Sequence, residues 1–238
     1  MTDRAYQLRS VLWGPTVALR NELISLLSRA YREGHILTVY DVGAHKGRWA
    51  EHMQRVMPDA RFILFEANPR HKEELAATGF EHYIGVLSRP DIMEVSFFSR
   101  EDDAGSTGGS TYKEKTPQYR DIEPVRWPAR TLASLVAEEC LPAPDLVKLD
   151  TQGSELDVIA GGRELIAQAK YVLMELPVVE YNRGAPSIDA YLSVMRDLGF
   201  LPAAVSEIHR YGPIVIQLDL LFISRRLLEK AVLSGLQL

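Results

Sequence analysis

The sequence predicts an α/β fold built on a mostly parallel sheet that ends in an antiparallel pair of strands. Three observations carry this expectation. Short apolar, β-branched runs alternate along the chain with stretches of helical periodicity, the pattern of right-handed βαβ units. Near the C-terminus, GFLPAAVSEI (199–208) and PIVIQLDLLFIS (213–224) are joined only by His209-Arg210-Tyr211-Gly212, a connection too short for a parallel crossover. The 238 residues, 46% hydrophobic and 25% charged, suit one domain with a short appendage and exclude a disordered, collagen-like or coiled-coil chain.

Residues 16–33 place Val17, Leu19, Leu23, Ile24, Leu26, Leu27 and Tyr31 largely on one stripe. They read as an amphipathic helix that covers a core or a partner, and a homodimer through it is one expectation. Gly34 stops the helix, and ILTVYDVG begins a strand of the kind buried on both faces. Helix-like 48–56, strand 61–66, helix-like 70–78 and strand 82–87 follow. Later come strand 145–150, helix-like 154–168, strand 171–176 and helix-like 187–198. MEVSFF (93–98) and EPVRWPARTL (123–132) read as strands flanking the polar segment 101–121, which is too long for a tight hairpin and is expected to be a mobile loop over a site. Residues 1–34 are then a helical N-terminal segment, and 35–238 one domain with a strand–loop–strand insert at about 92–132.

Cys140 is the only cysteine, so the chain can form neither an internal disulfide nor a cysteine-based zinc site. With no histidine marked as its partner, it reads as a small, partly buried thiol rather than a nucleophile. The net charge of −5 gives no global attraction to nucleic acid. Asp3, Arg4 and Arg9 interrupt the N-terminus and Asp219 interrupts the run Ile214–Ile223. Neither a signal peptide nor a membrane span is expected, and the cytoplasm is the expected compartment.

The chemistry gathers at strand ends. Tyr40-Asp41-Val42-Gly43-Ala44-His45-Lys46-Gly47 follows the first strand and opens a helix, the place where open α/β sheets bind ligands. Gly43 permits the sharp turn and Gly47 lets the helix pack close. A dinucleotide fingerprint would need glycine at His45 and Arg48 as well, so the turn suits a nucleoside without a pyrophosphate better than NAD. Glu66 ends the second strand at about the 20-residue spacing of a ribose-binding carboxylate. In DLVKLDTQGSE a strand delivers Lys148 and Asp150 on one face, and Gln152 and Glu155 sit where a helix begins. Lys148 and Asp150 can act on one ligand or form a structural ion pair. Glu175 ends the next strand, so three neighbouring strand ends carry Asp41, Asp150 and Glu175.

With YDVGAHKGRWA, RFILFEANP, RTLASL, LVKLDTQGSELDVIAGG and YVLMELP in this order, the chain resembles the FkbM family of S-adenosylmethionine-dependent methyltransferases over roughly residues 36–176. The resemblance implies a Rossmann-like class I methyltransferase fold: a seven-stranded, mostly parallel sheet with an antiparallel last strand and helices on both faces. It also implies S-adenosylmethionine as cofactor and O-methylation of a hydroxyl on a small molecule, sugar or natural product. Carried over, Asp41, Gly43, Ala44 and Gly47 form the cofactor turn, Glu66 and Ala67 hold the nucleoside, and Lys148 and Asp150 line the methyl-transfer site. Two departures stand: the family often has Asn where this chain has His45, and an acid where it has Ala133.

A hydroxyl acceptor needs a base. Asp150 and Glu175 are the acids best placed for it, with His45 and His209 as imidazole candidates. His209 is expected in a tight, solvent-facing turn. Asp150 and Glu175 could instead hold Mg²⁺. Ser106, Ser110 and Tyr112 on the polar loop, with Gln152 and Glu155, are expected acceptor contacts. Trp49 and Trp127 are either stacking platforms or core anchors. An NAD-dependent oxidoreductase and a non-catalytic binding module are the rival readings; a shift in unfolding temperature with S-adenosylhomocysteine rather than NAD separates the first from a methyltransferase.

Overall fold

The computed structural model describes residues 17–100 and 109–233. Helix α1 (Val17–Arg32) leads into β1 (Thr38–Val42), α2 (Arg48–Gln54), β2 (Arg61–Glu66), α3 (Lys72–Thr78) and β3 (Glu81–Ile84). Short strands β4 (Val86–Leu87), β5 (Glu94–Phe97) and β6 (Val125–Arg130) follow, then α4 (Leu132–Glu138) and β7 (Leu146–Leu149). The chain ends with α5 (Glu155–Gly161), α6 (Arg163–Ile166), β8 (Tyr171–Pro177), α7 (Ile188–Asp197), β9 (Phe200–Tyr211), β10 (Ile214–Ser224) and α8 (Arg225–Leu233).

The main sheet has seven strands in the order β3-β2-β1-β7-β8-β10-β9. Strand β1 runs parallel to β2 and β7, whereas β10 runs antiparallel to β8 and β9. The expected parallel sheet with a reversed last strand is the one observed. Alternation along each strand feeds two cores. Tyr40, Val42, Ile63, Phe65, Val147 and Leu149 face α4 to α7, meeting Leu132, Val158, Tyr191 and Met195 among others. Val39, Phe62, Leu64 and Leu146 face α1 to α3, meeting Leu23, Leu27, Ala50, Met53 and Leu75. Each such buried leucine contributes about 1.5–3 kcal/mol. Leu23 and Leu27 of the α1 stripe are therefore buried against the chain's own sheet.

Several sequence expectations change. The run 82–87 divides at Gly85: Glu81–Ile84 stays in the main sheet, whereas Val86–Leu87 leaves it to join a three-stranded sheet, β4-β6-β5. Strand β6 stops at Arg130 because Thr131 caps a helix, its side chain accepting from Ser134 N at 3.0 Å. The helical run 154–168 is two helices separated at Gly162. Strand β9 continues through Tyr211, so the hairpin turns at Gly212 and Pro213, and His209 is a strand residue only 3% exposed. Cys140 is exposed rather than partly buried.

Of the polar segment, 101–108 with Ser106 lies outside the described residues. Residues 109–121 are anchored: Ser110 bridges to Phe98, Tyr119 is buried in a short 3-10 turn, and Lys115 and Arg183 donate backbone N–H bonds to Tyr181 and Lys113. Among the described residues no helix is long and apolar enough to cross a membrane.

Candidate active site

At the tip of β1 the chain turns through Gly43, at φ 79°, where a Cβ would stand 1.9 Å from the Asp150 carbonyl oxygen. Only glycine allows the end of β7, whose Asp150 N donates to Val42 O at 3.0 Å, to cross so closely. Gly43 N and Ala44 N donate to Phe65 O at 2.9 and 3.1 Å and fasten the turn to β2. Gly47, at φ 76°, begins α2, and a Cβ there would crowd Leu64 and Leu75.

Glu66 spans the two turns. Its Oε2 accepts from His45 N at 2.7 Å and its Oε1 from Asn68 N at 2.8 Å. Burial pushes the carboxyl up to about 7, against the pull of those two N–H donors. His45 adopts a left-handed conformation at φ 52°, its ring 4.2 Å from that of His71. Burial, and then the neighbouring His71, push this imidazole down to about 4. It is neutral at physiological pH and does not repel a cationic ligand.

On the α1 and α2 side of the sheet, the register sets Asp41 opposite Lys148. Lys148 Nζ lies 3.1 Å from Asp41 Oδ1 and 3.2 Å from Asp150 Oδ2. Burial works against the ammonium, but Asp150 and Asp41 outweigh it and hold its pKa above the usual lysine range. Lys148 is thus a structural ion-pair partner. Asp41, fully buried behind it, is on neither cavity wall, and the ammonium sits beside Asp150, one of the two acids that could instead have held Mg²⁺.

Farther along, Glu175, Asp219 and Glu207 fall in one row across β8, β10 and β9. Like charges directly opposed in a sheet ordinarily destabilise it. His209 Nε2 approaches Asp219 Oδ1 at 3.4 Å. Burial raises the Glu175 carboxyl well above the carboxylate range, with Asp150, Asp219 and Glu155 adding repulsion. Sequence reasoning missed Ser206, Glu207 and Asp219. Alternation puts Glu207 and His209 on one side of their strand, but the partner opposite depends on a hairpin whose register shifts at several points.

Two cavities open at the carboxyl ends of the strands. The first, about 90 Å³, is lined by Gly43, Glu66, Ala67, Val86, Leu87 and Thr111, among others. The second, about 540 Å³, is lined by Trp49, Lys148, Glu175, Ser206, Glu207 and Asp219, among others. Gly43, His45 and Asp150 belong to both walls, so the cavities meet at the tips of β1 and β7.

The expected acceptor contacts are placed otherwise. Glu155, 1% exposed, accepts from Thr151 N, Gly153 N and the Tyr191 hydroxyl, which seals it inside the protein. Tyr112 donates to Asp157 at 2.9 Å and Ser110 to Gln152 O at 2.8 Å. Gln152 bridges Asp150 and Glu175. Trp49 lies on the second cavity wall with Lys148 Nζ 5.6 Å from its ring centre, whereas Trp127 stacks on Phe97 at 4.4 Å in the small sheet.

This strand order is the Rossmann-like class I methyltransferase fold. The Methyltransferase FkbM domain matches residues 41–202, and the chain belongs to that family. The 2-O-methyltransferase NoeI of Sinorhizobium fredii (strain NBRC 101917 / NGR234) is 27% identical over 201 residues, covering 76% of this chain and 79% of NoeI. Among solved structures, methyltransferase FkbM of Methylobacillus flagellatus KT is similar at a TM-score of 0.49 and 15% identity. That match covers 79% of this chain but spans only 44% of the Methylobacillus chain. Magnesium protoporphyrin IX methyltransferase of Synechocystis PCC 6803, solved with bound S-adenosylmethionine, is similar at a TM-score of 0.46 and 12% identity, over 85% of this chain and 78% of that one.

Proposed function

We propose that the chain is an S-adenosylmethionine-dependent O-methyltransferase whose acceptor is a sugar hydroxyl. The observation that carries this reading is the junction of two unlike cavities at Gly43, His45 and Asp150. The first has the parts a nucleoside needs: a turn that starts at Gly43, a carboxylate at the tip of β2 for ribose hydroxyls, and apolar Val86 and Leu87 for the base. At about 90 Å³ it is below the ~300 Å³ at which ligand pockets begin. Entry of a nucleoside therefore requires part of its lining to move. The second cavity, at about 540 Å³, has room for an acceptor, and its carboxylates and Trp49 suit the hydroxyls and apolar face of a sugar ring.

When bound, S-adenosylmethionine supplies an electrophilic methyl on a sulfonium. Glu66 would accept hydrogen bonds from the ribose, beside the Gly43 turn. Asp150, on the wall common to both cavities, would orient the acceptor hydroxyl and take its proton; such a base contributes about 10²–10⁴-fold. Holding the two reactants in line contributes roughly 7–11 kcal/mol. The relative NoeI is described as a 2-O-methyltransferase, which supports oxygen as the acceptor atom.

Two measurements test this. S-adenosylhomocysteine, and not NAD, is expected to raise the unfolding temperature of the protein. Labelled S-adenosylmethionine is then expected to transfer its methyl to one member of a panel of methyl hexosides and 6-deoxyhexosides. Stabilisation by NAD alone would favour the oxidoreductase reading, and binding without transfer to any sugar would remove the sugar from the proposal.

A further inference from the structure

Gln152 stands between Asp150, which lines both cavities, and Glu175, which lines the second. Its Nε2 donates to Asp150 Oδ1 at 2.9 Å and to Glu175 Oε2 at 2.8 Å, using both amide hydrogens on carboxylates from two different strand ends. The residue adopts φ 56°, a left-handed conformation that strains a non-glycine residue and persists only where its surroundings hold it. Those surroundings are specific. Gln152 O accepts from Ser110 Oγ at 2.8 Å and also from Asn182 Nδ2, and Ser110 and Asn182 are both buried. The segments bearing them are joined through the Glu114–Asn182 bridge and the backbone bonds between 113–115 and 181–183.

We infer that Gln152 is a positioning residue for methyl transfer: its amide clamps Asp150 and Glu175 in one relative orientation at the junction of the cavities, and Ser110 and Asn182 hold the strained backbone that aims it. Gln152 does not line the second cavity, so its role runs through the two carboxylates rather than through the acceptor. Without the clamp, nothing fixes the two side chains relative to each other, and the base no longer faces the acceptor oxygen. Ser110 sits between Gly109 and Thr111, which line the first cavity, so the segment that supports the clamp also walls that cavity. The inference rests on the proposed methyl-transfer reading for its catalytic half only.

The test uses Q152N, in which asparagine tolerates the left-handed backbone but is one methylene too short to bridge both acids, and S110A, which removes one support. The first readout is the side-chain carboxyl ¹³C resonance of Glu175 in the protein without cofactor or acceptor, assigned with E175Q. It is expected to move in Q152N and, less far, in S110A; an unmoved resonance in folded Q152N overturns the clamp whatever the enzyme's substrate. The second is a double-mutant cycle on kcat with the glycoside that the native protein methylates. Q152N is expected to lower kcat about 10-fold with acceptor KM nearly unchanged, and Q152N/E175Q to be no slower than the slower single variant. Multiplying losses in the double variant, or a loss confined to KM, overturns the positioning role.

Discussion

The two cavities at the top of the sheet differ in how they are built. The smaller cavity takes one side of its wall from early, closely spaced chain, where the Gly43 turn follows β1, Glu66 ends β2, and Val86 and Leu87 lie shortly beyond β3, and closes it with Phe97, Gly109, Thr111 and the 150–154 turn. It carries one buried carboxylate with two backbone donors. The second cavity is assembled from β7, β8, β9 and β10 together with α1 and α2, and several carboxylates converge there. The Gly43 turn and the tip of β2 fix one side of the first cavity, whereas strand register sets the row of acids in the second. The difference teaches that the acids of the second cavity depend on the β9–β10 hairpin in a way the first cavity does not.

Variants at the junction should have the largest effect. Asp150→Asn is expected to lower turnover more than about 100-fold while S-adenosylhomocysteine still binds; isothermal titration beside a methyl-transfer assay reads both, and near-normal turnover would remove Asp150 as the base. Next in size, Glu66→Gln is expected to weaken S-adenosylhomocysteine at least about 10-fold. Burial holds the folded Glu66 carboxyl up at about 7 rather than 4.5, so the folded state binds the extra proton and the stability of the protein without ligand falls as pH rises from about 4.5 to 7. Glu66→Gln should lose that fall, which thermal unfolding across the same pH range reads.

Smaller effects separate the cavities. Asp219→Asn is expected to raise acceptor KM several-fold, about 1 kcal/mol per lost hydrogen bond, with the affinity for S-adenosylhomocysteine unchanged. An equal loss of cofactor affinity would show that the two cavities are one site. The smallest expected effect is on pH dependence: S-adenosylhomocysteine should bind a few-fold more tightly at pH 8 than at pH 6, because an ionised Glu66 accepts ribose hydroxyls better than a protonated one. That trend should be absent from Glu66→Gln and intact in Asp219→Asn.

Much of the first cavity is legible without coordinates. Gly43 and Glu66 stand at strand ends that β-branched runs announce, and their spacing is local. Glu155 and Tyr112 misled for a common reason: a carboxylate or phenol beside a motif looks available until Tyr191 and Asp157 are seen to engage them. Val86–Leu87 misled because Gly85 breaks a run that reads as one strand, and the departing half pairs with β6 far along the chain. His209 misled because the turn lies three residues later, at Gly212 and Pro213.

The sequence by itself determined the sheet type, the reversed final strand, the glycine turn and the acid that faces it, because each follows from side-chain period, connection length or backbone freedom within a short stretch. Only the tertiary structure decided that Lys148 neutralises Asp41 and Asp150, that Glu175, Asp219 and Glu207 share a row, and that Gln152 ties two strand ends together. Those contacts join residues far apart in the chain. Their distances depend on which strands lie side by side and in what register, and that is set by how both faces of the whole sheet are buried.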